Sequence, residues 1–268
     1  MAGPTTAERG ERKRGTEPAR PPGPTGRRRL RLPSPRMRRV LLVSLVAAAL
    51  LGGGGGWLLY GSQWLRVEHV GTSGTRVLSP EEVRDAAAVP VGAPLISVDT
   101  DAIEDRLRRK LPRIDSVDVV RSWPRGIGLK VTERKPVLLL PDGGKFVEVD
   151  AKAVRFATVA RAPKGVPTLE WAAGRSPSLS RFGTGRLLRA AVRVVGDLPD
   201  AVARDTRTVK VRSYDSISLE LTEGRTVAWG SSGKGQAKAA SLTALMKAAP
   251  GAGHFDVTAP TAPAASGS

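Results

Sequence analysis

The stretch RSWPRGIGLKVTERKP, residues 121–136, reads as the turn and second strand of a β-hairpin. Ile127, Leu129 and Val131 fall on one side of an extended chain and Lys130, Thr132 and Arg134 on the other, the two-residue period of a half-buried strand. Trp123-Pro124-Arg125-Gly126 forms the tight connection, and residues 114–122 supply the antiparallel partner. Working upstream, Ile103, Leu107 and Leu111 recur one helical turn apart, opposite Arg106, Arg108, Arg109 and Lys110. This helix starts at residues 99–101 and stops at Pro112. Ser79-Pro80-Glu81-Glu82 opens an earlier helix that runs to about residue 89: Ser79 caps, Pro80 takes the first helical position and Glu82 closes the capping box. Residues 65–70 alternate as a short strand, and residues 71–75 hold two glycines for a turn. The order over residues 65–134 is β-α-α-β-β.

Downstream of Pro136 the pattern changes to short strands at residues 137–140, 145–149, 154–158, 209–211, 216–221 and 226–229. Helical stretches at residues 185–195 and 236–249 interrupt them, and Phe255 and Val257 offer a short terminal strand. Residues 135–257 thus read as a mixed β domain with two helices. Pro260 and Pro263 break further strand, so residues 258–268, small and uncharged, read as a flexible tail.

Further upstream still, residues 40–60, VLLVSLVAAALLGGGGGWLLY, carry no charge. At 1.5 Å per residue they span roughly 31 Å, the thickness of a bilayer's hydrocarbon core. Residues 20–39 hold eight arginines and residues 61–80 hold two, Arg66 and Arg76, so the N-terminus is expected inside and the rest outside. Trp57, Tyr60 and Trp64 form the expected outer aromatic anchor. A cleaved signal peptide is the rival reading, but its apolar core is about 7–15 residues, shorter than this run of 21. Gly52 and Gly56 satisfy the G-x-x-x-G spacing of close helix pairs, set against plain tolerance of small residues in lipid.

The chain has 268 residues and a formal net charge of +18. Half of that excess lies in residues 1–39, where twelve basic and three acidic side chains sit among seven prolines. With almost no large apolar side chains this tail reads as disordered. Its cations sit next to an anchor and lack interleaved aromatics that would stack bases, which favours anionic lipid head groups over nucleic acid as the partner. The absence of cysteine excludes disulfides and thiolate metal sites.

Several segments carry a resemblance. Residues 67–71 (VEHVG), residues 91–99 (VGAPLISVD), Arg121-Ser122-Trp123-Pro124 leading to Glu133-Arg134-Lys135-Pro136, residues 143–150 (GGKFVEVD) and residues 254–260 (HFDVTAP) resemble the FtsQ/DivIB family of bitopic bacterial cell-division proteins. The resemblance implies an α+β chain: a single N-terminal transmembrane helix, a POTRA domain at residues 65–134, and a mixed β domain displayed outside the membrane. It further implies a scaffold at the division septum, not an enzyme, that binds coiled-coil membrane proteins of the FtsB/DivIC and FtsL types and uses no cofactor or small-molecule substrate. Carried over by position, partner capture falls on His254, Phe255, Asp256, Val257 and Thr258, as strand addition to an exposed sheet edge with Phe255 as anchor.

Catalytic readings fail on the residues. Gly230-Ser231-Ser232-Gly233-Lys234-Gly235 lacks the final Ser or Thr of a phosphate loop, and Ser231-x-x-Lys234 lacks the companion motifs of acyl-transfer enzymes. His69 has no second histidine nearby for a metal. Pairing Glu133 with Glu148, or Asp142 with Asp150, would suit glycosidase chemistry on wall glycan, yet each sits beside Arg or Lys as a surface ion pair would. Two rival classes stay open at this stage: a wall-glycan enzyme, and an envelope assembly or secretion component built on a POTRA domain.

Overall fold

The computed structural model describes residues 35–61, 63–171 and 177–267. Chain contacts divide into two compact units, residues 1–53 and residues 54–268. Helix α1 (Pro35–Tyr60) contains the apolar run. It begins before residue 40 because Arg36, Arg38 and Arg39 are good helix formers, so the charge boundary is not the helix boundary. Its segment Arg36–Trp57 is long and apolar enough to cross a membrane.

In the second unit a three-stranded sheet comes first. Strand β1 (His69–Ser73), helices α2 (Pro80–Ala87) and α3 (Thr100–Lys110), and strands β2 (Ile114–Ser122) and β3 (Gly126–Glu133) follow in chain order. The sheet order is β1-β3-β2, with β1 parallel and β2 antiparallel to β3. The Ser79 capping box forms as expected, Ser79 Oγ accepting from Glu82 N and Glu82 returning to Ser79 N. Asp99 caps α3 through Ala102 N. Ile127, Leu129 and Val131 face the core with Val83, Leu95, Ile103, Leu107 and Ile114.

One expectation shifts. Residues 65–70 do not form the first strand: Gln63–Leu65 is a short helical turn, and the strand runs through the glycine-containing segment, His69–Ser73. Gly71 lies opposite Gly128 in a parallel pairing that tolerates the missing side chains. The turn comes at Gly74, where φ is +85° and a Cβ would sit 2.0 Å from the Val131 carbonyl oxygen; only glycine fits there.

The rest is a nine-stranded sheet, built from β4 (Leu138–Asp142), β5 (Lys145–Val149), β6 (Arg155–Val159), β7 (Thr168–Trp171), β8 (Thr206–Ser213), β9 (Ser216–Leu221), β10 (Thr226–Gly230), β11 (His254–Asp256) and β12 (Ala264–Ser266). Its order is β12-β11-β10-β9-β8-β7-β4-β5-β6. Helices α4 (Pro177–Asp197), α5 (Asp200–Asp205) and α6 (Gly235–Ala248) complete the chain. Leu187, Leu188, Ala191 and Val194 of α4 and Leu242 of α6 bury against Val209, Leu219, Val227, Trp229 and Phe255 of the sheet. Strand β7, helix α5 and strand β12 lie beyond the sequence expectation. The last of these corrects the reading of residues 258–268 as a flexible tail.

Candidate functional site

The C-terminal strands are placed by short-range bonds. Asp256 Oδ1 accepts from Thr258 N at 2.9 Å and from Thr258 Oγ1 at 2.7 Å, turning the chain after β11. These Thr258 bonds, opposed by partial burial and aided by His254, hold the Asp256 carboxyl below the ordinary aspartate value. Ala262 N donates to Ala259 O, and Ser241 Oγ of α6 donates to Pro260 O at 2.8 Å, so the two prolines shape a turn instead of ending the fold. The returning β12 then pairs antiparallel with β11, His254 opposite Ser266 and Asp256 opposite Ala264.

This arrangement corrects the expected anchor. Phe255 and Val257 are fully buried in the β-domain core, whereas His254 and Thr258 are exposed. Residues 254–258 do not stand at the sheet edge, because β10 flanks β11 on one side and β12 on the other. The edge is β12. Thr226 N donates to Gly253 O and Val257 N to Ala228 O, so the main chain of Phe255 faces β10. His254 and Asp256 therefore bond to Ser266 and Ala264, which leaves the N–H and C=O of Ala265 pointing outward. Sequence reasoning missed this edge because Ala, Ala and Ser have low strand propensity; the turn-forming Pro260 and Pro263 were its one signal.

The opposite edge differs. Strand β6 carries Arg155, and its pairing with β5 is irregular between Glu148 and Val149, two features that blunt an edge. The β12 edge, Ala264-Ala265-Ser266, has neither charge nor bulk.

The hairpin motif residues serve the junction and the POTRA core. Arg121 donates to Leu95 O at 3.2 Å and Val98 O at 2.6 Å, pinning the turn before α3 to strand β2. Trp123 and Pro124 occupy the exposed turn. Glu133 accepts from the backbone N–H groups of Arg76, Val77 and Leu78 at 2.8 to 3.1 Å. Burial disfavours its charge, but these donors and the nearby Arg113 outweigh that and keep its carboxyl below the ordinary glutamate value. Arg134 donates to Pro112 O, to Asp115 at 3.0 Å and to Asp150 of the β domain. Lys152 bonds Asp115 at 2.6 Å, and this bond lowers the Asp115 pKa against a smaller desolvation. Pro136 is half-buried at the exit from this cluster.

Trp57, Tyr60 and Trp64 are all strongly exposed, as anchors at a lipid interface would be. Lys234 of the Ser231-x-x-Lys234 match is exposed at the start of α6. The buried lysine is Lys238, whose Nζ donates to Trp229 O and Ser231 O at 2.8 Å each. Burial lowers its pKa. It fixes the loop at β10, a structural role that nothing in the sequence pattern announced.

Residues 65–134 match the family described as POTRA domain, FtsQ-type. The chain is 65% identical over 272 residues to the cell division protein FtsQ of Streptomyces collinus, covering 100% of both chains. It is 62% identical over 272 residues to FtsQ of Streptomyces coelicolor, again over 100% of each. With FtsQ of Mycolicibacterium smegmatis the identity is 36% over 208 residues, 77% of this chain and 59% of that one. Among solved structures, the major extracytoplasmic domain of DivIB from Geobacillus stearothermophilus is 17% identical, with 44% of this chain and 92% of that chain covered and a TM-score of 0.31. These relatives and the one apolar helix among the described residues fit a single-pass membrane protein. With full-length identity of this order on both sides, the chain belongs to the FtsQ family of bacterial cell-division proteins.

Proposed function

We propose that this protein is a non-enzymatic bitopic scaffold of the division septum that captures a coiled-coil partner of the FtsB/DivIC type by strand addition at β12. Its N-terminus is cytoplasmic, its two folded domains are extracytoplasmic, and proteins of the FtsL type are further partners of the same scaffold. The basic tail meets anionic lipid on the inner face, consistent with the eight arginines of residues 20–39.

One observation carries the docking reading: among the described residues β12 is the last strand of the nine-stranded sheet, and its side chains are small. An added strand would satisfy the Ala265 N–H and C=O, giving affinity from the backbone and leaving specificity to alternate side chains. The POTRA domain and its two-domain junction then act as a spacer that sets the height of this edge.

The test is Ala265→Pro in the full-length chain. Proline removes the outward N–H while sparing the bonds to β11, and proline is tolerated on an edge whose N–H faces solvent. Recovery of coiled-coil membrane partners from the protein's own membranes should fall at least tenfold with thermal unfolding unchanged. Undiminished recovery with an intact fold would remove β12 as the docking edge.

A further inference from the structure

Two loops of the POTRA domain are tied to the first residues that leave α1. The helix ends at Tyr60, and Trp64 follows four residues later within a helical turn, a reach of at most ~14 Å. From there the chain is fixed at once. Val67 N donates to Ala93 O at 2.9 Å, Gly92 N donates back to Val67 O at 2.8 Å, and Arg66 Nη1 donates to Gly92 O at 2.8 Å. The loop that carries Val91 is thereby held beside residues 66 and 67. The hairpin turn is held to the same segment: Arg125 donates to Trp64 O at 3.3 Å and to both Glu68 carboxylate oxygens at 2.8 and 2.9 Å, while Glu68 N donates to Arg125 O.

On this patch stand three large apolar side chains in water: Trp64 at 66%, Val91 at 67% and Trp123 at 52% exposure. By contrast Trp229, also beyond the helix, is fully buried. None of the three belongs to the buried POTRA core. Tryptophan suits a membrane interface because its ring is apolar while its indole N–H is polar. The tether identifies the surface on offer, since the short link from Tyr60 keeps this rim close to the helix end at all times.

We infer that Trp64, Val91 and Trp123 form a membrane-facing rim of the POTRA domain that lies in the lipid head-group region, a second lipid contact continuous with Trp57 and Tyr60. The inference rests on α1 spanning the bilayer. It gives the exposed Trp123 of the hairpin turn a role in fixing the tilt of the external domains over the membrane, which in turn sets where the β12 edge is presented.

The chain has no cysteine, so a single introduced one takes a fluorophore at one known place. Full-length Ser122→Cys and Val91→Cys, with Tyr60→Cys as interface reference and Val154→Cys as a β-domain reference, are labelled and reconstituted in phosphatidylcholine–phosphatidylglycerol vesicles. Half of each sample carries a nitroxide on the lipid near the head group. We expect fluorophores at 122 and 91 to lose at least half as much intensity as the one at 60, while the one at 154 loses almost none. Adding Trp123→Glu to the Ser122→Cys protein should restore most of the lost intensity. Quenching at 60 with positions 122 and 91 matching 154 would overturn the rim and leave the span standing. Absence of quenching at 60 itself would overturn the span, and the rim with it.

Discussion

Arg113 Nη2 stands 2.6 Å from Glu148 Oε2, with the two side chains only 14% and 6% exposed, and this pair joins the POTRA domain to the β domain. The same guanidinium lies over the Phe156 ring, 5.2 Å from its centroid. Beside it Arg134 reaches Asp115 of the POTRA domain and Asp150 of the β domain, so two arginines hold the junction. Removing one partner of such a buried pair leaves an uncompensated charge and costs about 3 kcal/mol or more, whereas replacing both with apolar side chains returns most of the loss. We expect Glu148→Leu and Arg113→Met each to lower the thermal midpoint of the full-length chain clearly, and the double substitution to recover most of it. Additive losses would show that the two side chains do not act as a pair.

Phe255 is a core residue here, and its substitution should be read that way. Truncating a buried Phe to Ala costs about 3–5 kcal/mol. Phe255→Ala should therefore destabilise the β domain as a whole, in contrast to Ala265→Pro, which should spare it. The comparison is a thermal melt of the two variants side by side; equal stability of Phe255→Ala and the parent would contradict its burial.

Glu133 makes acid stability a local readout. Its folded pKa is depressed, so its contribution is fully present above the unfolded glutamate value of about 4.3 and is lost as pH falls through the lower folded value. Above that window Glu133→Gln should be less stable than the parent, since a neutral amide accepts less strongly from Arg76, Val77 and Leu78. Below it the two melts should converge. A constant gap from neutral pH to below the window would show that the charge of Glu133 contributes nothing.

The arginine asymmetry across α1 predicts an inside N-terminus. A reporter active only outside the membrane should be active when fused after Ser268 and silent when fused before Met1. The opposite pattern would reverse the placement of the folded domains.

The POTRA unit was legible because its signals are local. Ser79 and Asp99 cap helices by short-range bonds, and Ile127, Leu129 and Val131 alternate without interruption. The β domain was less so. Strand β7 is four residues long and pairs in parallel with two strands distant in sequence, β4 and β8, a partnership no local pattern encodes. Phe255 read as an edge anchor because the next strand, Ala264–Ser266, lacks every residue type that favours strands, and its position depends on β11 and on Ser241 of α6. Of the tail expected to be disordered over residues 1–39, residues 1–34 lie outside the described residues, and residues 35–39 are helical instead, as the first turns of α1.

The most direct test of the scaffold reading places a photo-activatable cross-linking residue at Ser266 on β12 and, separately, at Thr158 on β6, in the full-length protein within its own dividing cells. The account predicts a cross-link to a small coiled-coil membrane protein from position 266 and none from 158, abolished at 266 by Ala265→Pro. A cross-link from 158 alone, or one from 266 that persists with Ala265→Pro, would contradict it.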